Sequence, residues 1–199
     1  VPLRLHDDGV DFAVWCSYKY LNAGPGSVAG IFVHERHARQ FDLPRFAGWW
    51  GHRESERFRM KKGFKPIPGA EGWQVSNFPV LAGVPQLAAL NLFEKAGIKA
   101  LRKKSLQLTG YLEFLLRQLD PSGSQFTIIT PADPEQRGCQ LSLLMHRNGK
   151  KIFSRLIESG VSADWREPDV IRLAPVPLYN TFEEVYRFCL IFKKILQQN

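Results

Sequence analysis

Lys19 stands between two tyrosines in the stretch CSYKYLNAGPGSVAG, residues 16–30, where an apolar run ends and a glycine-rich turn begins. Near neutral pH a lysine amine is almost wholly protonated, with an unperturbed pKa of about 10.4. Desolvation beside apolar strand residues disfavours the charged form and frees the amine for imine chemistry with a carbonyl. Gly24 and Gly26 permit positive φ and a close backbone approach to a bound group, and Pro25 stiffens the loop. Successive backbone N–H groups in such a turn favour an anion. An uncharged amine beside an anion-friendly turn suits an aldehyde that carries a phosphate, which is the chemistry of pyridoxal phosphate. On spacing alone, a strand-end lysine that snorkels to water fits equally well.

Other residues could share such a site. Arg172, in VIRLAP, is flanked by apolar residues and so needs an anion, either an internal carboxylate or the carboxylate of a ligand. Trp49 and His52, in GWWGH, and Asn77, in VSNFP, read by themselves as core packing, a surface-loop histidine and a turn residue. The pair His34 and His37 lacks a third ligand at metal-binding spacing and reads as solvated structure, so no metal is expected. Cys16, Cys139 and Cys189 are widely separated, odd in number and without CxxC spacing, as expected of reduced thiols in a cytosolic protein.

Several elements must position these groups. VDFAVWCSY reads as a buried strand and SVAGIFVHE as a second, joined through the Lys19 turn. Residues 39–79, rich in Gly, Pro, Trp and charge, form a long irregular region, and its tryptophans argue for order. Helical periodicity runs from about Val80 to Leu119, with Gly97 marking a break. LDPSGSQ is a turn, FTIIT and CQLSLLM are strands, and KKIFSRLIESG is a helix closed at Gly160. VSADWR and VIRLAP are two more strands, around the turn EPD. A last helix, NTFEEVYRFCLIFKKIL, has capping-box spacing at Thr181 and Glu184 and lysines at its negative end. The expected organisation is α/β: residues 1–78 as part of a large-domain sheet, then 79–199 as linking helices and a small α+β domain.

The 199 residues are 44% hydrophobic and 23% charged, which suits a soluble globular protein, and no segment has the length of a membrane helix. The net charge of +8 admits nucleic acid, an acidic surface or small anions as partners. Its dense patches, IKALRKKS and RFRMKKGFK, read as a solvated helix face and a loop. The start, VPLRLHDDGV, has no initiator methionine and reads as a cut through a longer protein or as an incomplete gene model.

The segment DFAVWCSYKYLNAGPGSVAG resembles the cofactor-lysine segment of kynureninases, fold-type-I pyridoxal-phosphate enzymes related to the class V aminotransferases. The resemblance continues through GWWGH, GWQVSN, KALRKKSLQLTGYLEFL, RGCQLSL and IRLAPVPLYNTFEEVY, and so spans essentially the whole chain. It implies a fold-type-I architecture, pyridoxal 5′-phosphate as cofactor, and hydrolysis of L-kynurenine or 3-hydroxy-L-kynurenine to the anthranilate and L-alanine. By the same resemblance Lys19 is the Schiff-base lysine and later proton carrier. Tyr18 lies against the cofactor, binding its phosphate and serving as an acid or base. Trp49 and Asn77 contact the cofactor from the neighbouring subunit of a homodimer, Asn77 also meets the substrate, His52 lies near the substrate's aromatic end, and Arg172 grips the α-carboxylate. The family carries its ring-stacking aromatic residue, its pyridine-facing aspartate and its Ser/Thr phosphate binders upstream of this segment, so the segment alone is expected to be poorly active. A cytoplasmic enzyme with no membrane or nucleic-acid partner is implied. Rival readings are an aminotransferase or cysteine desulfurase of the same fold, a non-catalytic fragment, and a basic RNA-binding module that uses Lys103 and Lys104.

Overall fold

The structure, a computed structural model, describes residues 1–198. Its contacts divide the chain into two compact units, Leu3–Lys95 and Ala96–Asn199 with Val1–Pro2.

In the first unit β1 (Phe12–Trp15) pairs antiparallel with β2 (Gly30–Val33), Phe12 opposite Val33 and Trp15 opposite Gly30. The register has a steric basis. The Trp15 indole lies across Gly30, where any Cβ would sit 2.3 Å from the ring. Phe12 packs edge-on against Trp73, with ring centroids 5.2 Å apart, and stacks on His37. The ribbon is otherwise open: Val14 is 77% exposed and Ile31 44%. The expectation of a buried strand is therefore corrected, because within this unit the ribbon has only two strands and no helical layer covers it. Between β2 and residue 79 the chain is irregular, as expected, apart from 3-10 turns at Glu35–His37 and Ala70–Trp73. Helix α1 (Val80–Ala96) ends this unit, and Phe93 packs near Tyr20 across 5.9 Å. It is apolar on nearly every face and buries only Ala89.

The second unit is built from α2 (Ile98–Leu119), β3 (Phe126–Ile128), β4 (Leu141–Met145), α3 (Gly149–Glu158), β5 (Asp164–Arg166), β6 (Val170–Leu173) and α4 (Phe182–Leu196). The strands form one antiparallel sheet in the order β3-β4-β6-β5. Alternation along β4 and β6 sends Leu141, Leu143, Met145, Ile171 and Leu173 into a core with Leu108, Leu112 and Leu116 of α2, Ile152 and Leu156 of α3, and Phe192 of α4. Their neighbours Ser142 and Arg172 take the opposite face by the same period of two. Helix α4 begins with the expected capping box: the Thr181 hydroxyl accepts from Glu184 N–H, and Glu184 Oε2 accepts from Thr181 N–H at 2.7 Å.

The contact division falls at Lys95–Ala96, with α1 in the first unit and Gly97, at φ 76°, between it and α2. One sequence expectation shifts. Arg102, expected on a solvated face, is buried; its guanidinium donates to the carbonyls of Arg137 (3.1 Å) and Pro134. Beside it, Arg137 pairs with Glu113 at 2.6 Å with both side chains largely buried, and the Thr109 hydroxyl donates to Cys139 C=O. The RGCQLSL segment is thereby fixed to α2 by three of that helix's polar residues.

Candidate active site

Ser17 organises the turn that carries Lys19. It is fully buried, its Oγ lies 2.9 Å from Ser27 Oγ and donates to Val28 C=O, and Ser27 Oγ donates to Gly24 C=O. Ala23 N–H returns to Ser17 C=O at 3.1 Å, so residues 17–27 close on themselves. Gly24 and Gly26 take φ of 84° and 77°, the left-handed conformations expected of them. Asn22 shares that region, and its Nδ2 is buried with no acceptor. The turn projects Tyr18 and Lys19 outward. Tyr18 is 49% exposed, Lys19 is also exposed, and the Lys19 ammonium lies 5.7 Å from the Tyr18 ring centre. The desolvation expected around Lys19 is absent in this unit, since the open β1–β2 ribbon provides no apolar wall.

Trp49 and His52 line one cavity of about 530 Å³ together with Gly48, Glu56, Arg57, Met60 and Phe64. The Trp49 ring packs near Phe58 (5.5 Å) and His52 near Phe64 (5.7 Å). Arg57 was not foreseen as a site residue, yet it holds the GWWGH turn from below. Its guanidinium lies 4.6 Å from the Trp50 ring and donates to the carbonyls of Trp50 (3.1 Å) and His52 (3.3 Å). His52 Nδ1 accepts from Lys65 N–H at 3.3 Å, which fixes the ring's outward nitrogen as Nε2.

GWWGH and GWQVSN are packed backbone to backbone. A Cβ on Gly48 would lie 2.1 Å from Val75 O, one on Gly51 2.9 Å from both Gln74 O and Gly72 O, and one on Gly72 2.1 Å from Ile67 O. Gly48 and Gly51 let the two loops touch, and Asn77 lies two residues beyond Val75. Asn77 is exposed and its Oδ1 accepts from Ser76 Oγ at 3.1 Å. It does not line the Trp49–His52 cavity, nor do Tyr18 and Lys19.

Arg172 belongs to the second unit. It occupies the middle of β6, opposite Ser142 on β4 and Asp164 on β5. Its Nε bonds Asp164 Oδ2 at 2.5 Å, so the internal carboxylate considered for it exists. His37 bonds Asp11 (2.6 Å) and Gln40 (2.8 Å), and His34 Nδ1 accepts from Arg36 N–H, so both have structural roles. Among the described residues, no group of three or more His, Cys, Asp or Glu side chains is arranged to hold a metal ion. Among the described residues no helix is long and apolar enough to cross a membrane.

The fold defines the class. Solved structures that resemble this chain include the cystine C-S lyase C-DES in complex with its reaction product cysteine persulfide (TM-score 0.73, 21% identity, covering 97% of this chain and 49% of that one). The cysteine desulfurase CsdA from Escherichia coli (TM-score 0.72, 18% identity, 99% and 49%) is another. So is the acetylornithine aminotransferase from Elizabethkingia anophelis (TM-score 0.60, 17% identity, 99% and 42%). The architecture is that of the fold-type-I pyridoxal-phosphate enzymes.

Within that class the sequence points to one family. Residues 101–192 match the model described as the kynureninase C-terminal domain. The chain is 61% identical to the kynureninase of Xanthomonas oryzae pv. oryzae strain PXO99A over 191 residues, which is 94% of this chain and 44% of that protein. It is 52% identical to that of Flavobacterium psychrophilum over 200 residues, 100% of this chain and 47% of that protein. This chain matches the C-terminal half of kynureninases and spans about half the length of those relatives.

Proposed function

We propose that this chain is the C-terminal half of a pyridoxal-phosphate-dependent hydrolase that cleaves L-kynurenine to anthranilate and L-alanine, and 3-hydroxy-L-kynurenine to 3-hydroxyanthranilate and L-alanine. The observation that carries the reading is the similarity to kynureninases, 61% identity over 94% of this chain in one relative and 52% over 100% of it in another. The donor set suits the cofactor. Lys19 supplies an amine on an exposed turn, Asn22 Nδ2 is a buried donor without an acceptor in that same turn, and Tyr18, Trp49 and Asn77 offer neutral hydroxyl, indole and amide donors for phosphate oxygens. When bound, pyridoxal phosphate supplies an aldehyde that takes up amines and a ring that withdraws electrons from the carbon beside the captured nitrogen.

Lys19 would hold the cofactor through Nζ and would carry a proton from the substrate Cα. Tyr18 donates its hydroxyl to the phosphate and serves as acid or base beside Lys19. Arg172 binds the α-carboxylate, Trp49 and Asn77 hold the cofactor, and His52 meets the aromatic end of the substrate. The same reading takes the enzyme as a cytoplasmic homodimer of tryptophan catabolism, on the route to NAD.

Two of the three thiols weigh against a cysteine desulfurase, which needs a reactive cysteine. Burial pushes the Cys189 thiol up to about 12 and raises that of Cys139 as well, which disfavours the thiolate at both. The RNA-binding reading loses part of its patch, since Arg102 serves Arg137 and Pro134.

The test is to load the full-length enzyme with pyridoxal phosphate, reduce with borohydride and map the labelled peptide, alongside a fluorescence assay for anthranilate. Label at Lys19 and turnover of L-kynurenine are expected. Label at another lysine, or turnover that survives Lys19→Ala, overturns the assignment.

A further inference from the structure

Arg172 is bound from one side only. In the β5–β6 register Asp164 lies directly opposite Arg172, on the face away from the helices, where cross-strand side chains are about 4.5–5.5 Å apart at Cβ. The contact uses the inner nitrogen of the guanidinium, Nε, at 2.5 Å from Asp164 Oδ2. Among the described residues the hydrogen bond of the Arg172 guanidinium is the one at Nε, and the side chain is 31% exposed. A guanidinium offers its donors as a rigid fork, and the edge formed by the two terminal nitrogens matches a carboxylate with two parallel bonds. Arg172 is thus anchored at Nε with its terminal edge open. Arg166, two residues along β5, also approaches Asp164 Oδ2 through Nε, at 3.3 Å. Asp164 therefore sits between two guanidiniums and remains an acceptor for both.

We infer that Asp164 is a positioning residue for substrate recognition: its bond to Arg172 Nε fixes the rotation of the guanidinium and aims the terminal edge at the α-carboxylate of the amino-acid substrate. The inference rests on the reading of Arg172 given above. A long, flexible arginine that must stop on its own before each binding event loses rotamer freedom at that step, whereas one already held does not. The aspartate also opposes the arrival of a second carboxylate by its charge. Its two effects are separable, because an asparagine in its place keeps an oxygen acceptor for Nε–H and drops the charge.

The experiment uses the full-length, cofactor-loaded enzyme with Arg172→Ala, Asp164→Ala and Asp164→Asn. Three quantities are read: kcat and KM for L-kynurenine, the inhibition constant of L-alanine, and that of kynuramine, which is kynurenine without its carboxylate. Asp164→Ala is expected to raise KM and the L-alanine constant by about 10- to 100-fold, to leave kcat within a few-fold, and to leave kynuramine inhibition unchanged. Asp164→Asn is expected to return KM to within about threefold of the parent, since the acceptor is retained. A purely structural role would instead move the kynuramine constant and the thermal midpoint together in both variants, and that result overturns the inference. If Arg172→Ala weakens L-kynurenine and L-alanine while Asp164→Ala leaves both unchanged, the inference falls and the assignment of Arg172 stands. If Arg172→Ala itself changes neither, both fall together.

Discussion

Gly48→Ala tests whether the glycines of GWWGH and GWQVSN are there because two loops touch. The added methyl would lie 2.1 Å from Val75 O, 2.3 Å from Val75 Cα and 2.5 Å from Val75 C, all backbone atoms that no rotamer change can remove. To reach an ordinary contact the two loops must part by about 1 Å. Overpacking of that kind costs about 1–3 kcal/mol. Local opening free energy reports it directly: amide exchange in residues 47–52 and 72–77 is expected to quicken by about 5- to 150-fold, at one decade per 1.36 kcal/mol. Trp49 adjoins the substituted residue and Asn77 lies two residues from its neighbour Val75. A misplacement of about 1 Å there is expected to lower kcat/KM of the full-length, cofactor-loaded enzyme by about 100-fold.

The matched control is Gly110→Ala. Gly110 is exposed within α2 and a Cβ there meets nothing within 4 Å, so the substitution should stabilise its unit by about 0.5–1 kcal/mol through helix propensity. Wild-type exchange in both loops together with wild-type kinetics in Gly48→Ala would falsify the close approach and the account of the motif built on it.

Glu113→Leu should destabilise the second unit by about 3 kcal/mol, because it strands Arg137, whose side chain is 7% exposed and paired with Glu113 at 2.6 Å; a urea midpoint that does not move would contradict this. Burial pushes the Glu113 carboxyl up, but the Arg117 and Arg137 guanidiniums outweigh it and leave it below the usual carboxylate range, so its contribution is present above about pH 4.5 and fades as pH falls through the lowered value. In the first unit the His37 pKa is raised by the hydrogen bond to Asp11, then by Gln40, and the His6 pKa by Glu35, then by Asp7. Their stabilising contribution is complete below about pH 6.5 and is lost as pH rises through the raised values, and proton NMR should find His37 titrating above 6.5 and moving down in Asp11→Asn. Cys189, 4% exposed on α4, should resist Ellman's reagent until the second unit unfolds, and rapid labelling of it under native conditions would place α4 wrongly.

Residues 98–196 were the most legible part of the chain, because there local pattern and tertiary demand agree. Leu101, Leu108 and Leu112 recur at helical intervals and are buried on α2, β4 alternates strictly, and Thr181 with Glu184 marks a helix start that the structure repeats. The region 39–79 was legible only as irregular. Its order comes from contacts at long sequence separation, such as Gly48 on Val75 and Arg57 beneath Trp50 and His52, which leave no period to read. Charge patches misled for the same reason. IKALRKKS reads as a solvated face, yet Arg102 turns inward because the 134–137 segment, more than thirty residues later, brings it carbonyl acceptors. Asp164 could not have been singled out either, since its partnership with Arg172 is a matter of register, which is set by the whole sheet.

Lys19 exposes the limit of reading an active site from one stretch. The turn residues were read correctly as to conformation, since Gly24 and Gly26 take positive φ and the loop closes on Ser17. The environment of the amine was not, because desolvation belongs to whatever packs around a residue rather than to the strand before it. The ribbon that precedes Lys19 leaves Val14 and Ile31 exposed, and a two-stranded ribbon with an open apolar face is marginal by itself. If Lys19 performs imine chemistry, its apolar wall is not the ribbon that precedes it. Sequence therefore gives the shape of the turn, while the surroundings of the amine it carries are a property of the assembled protein.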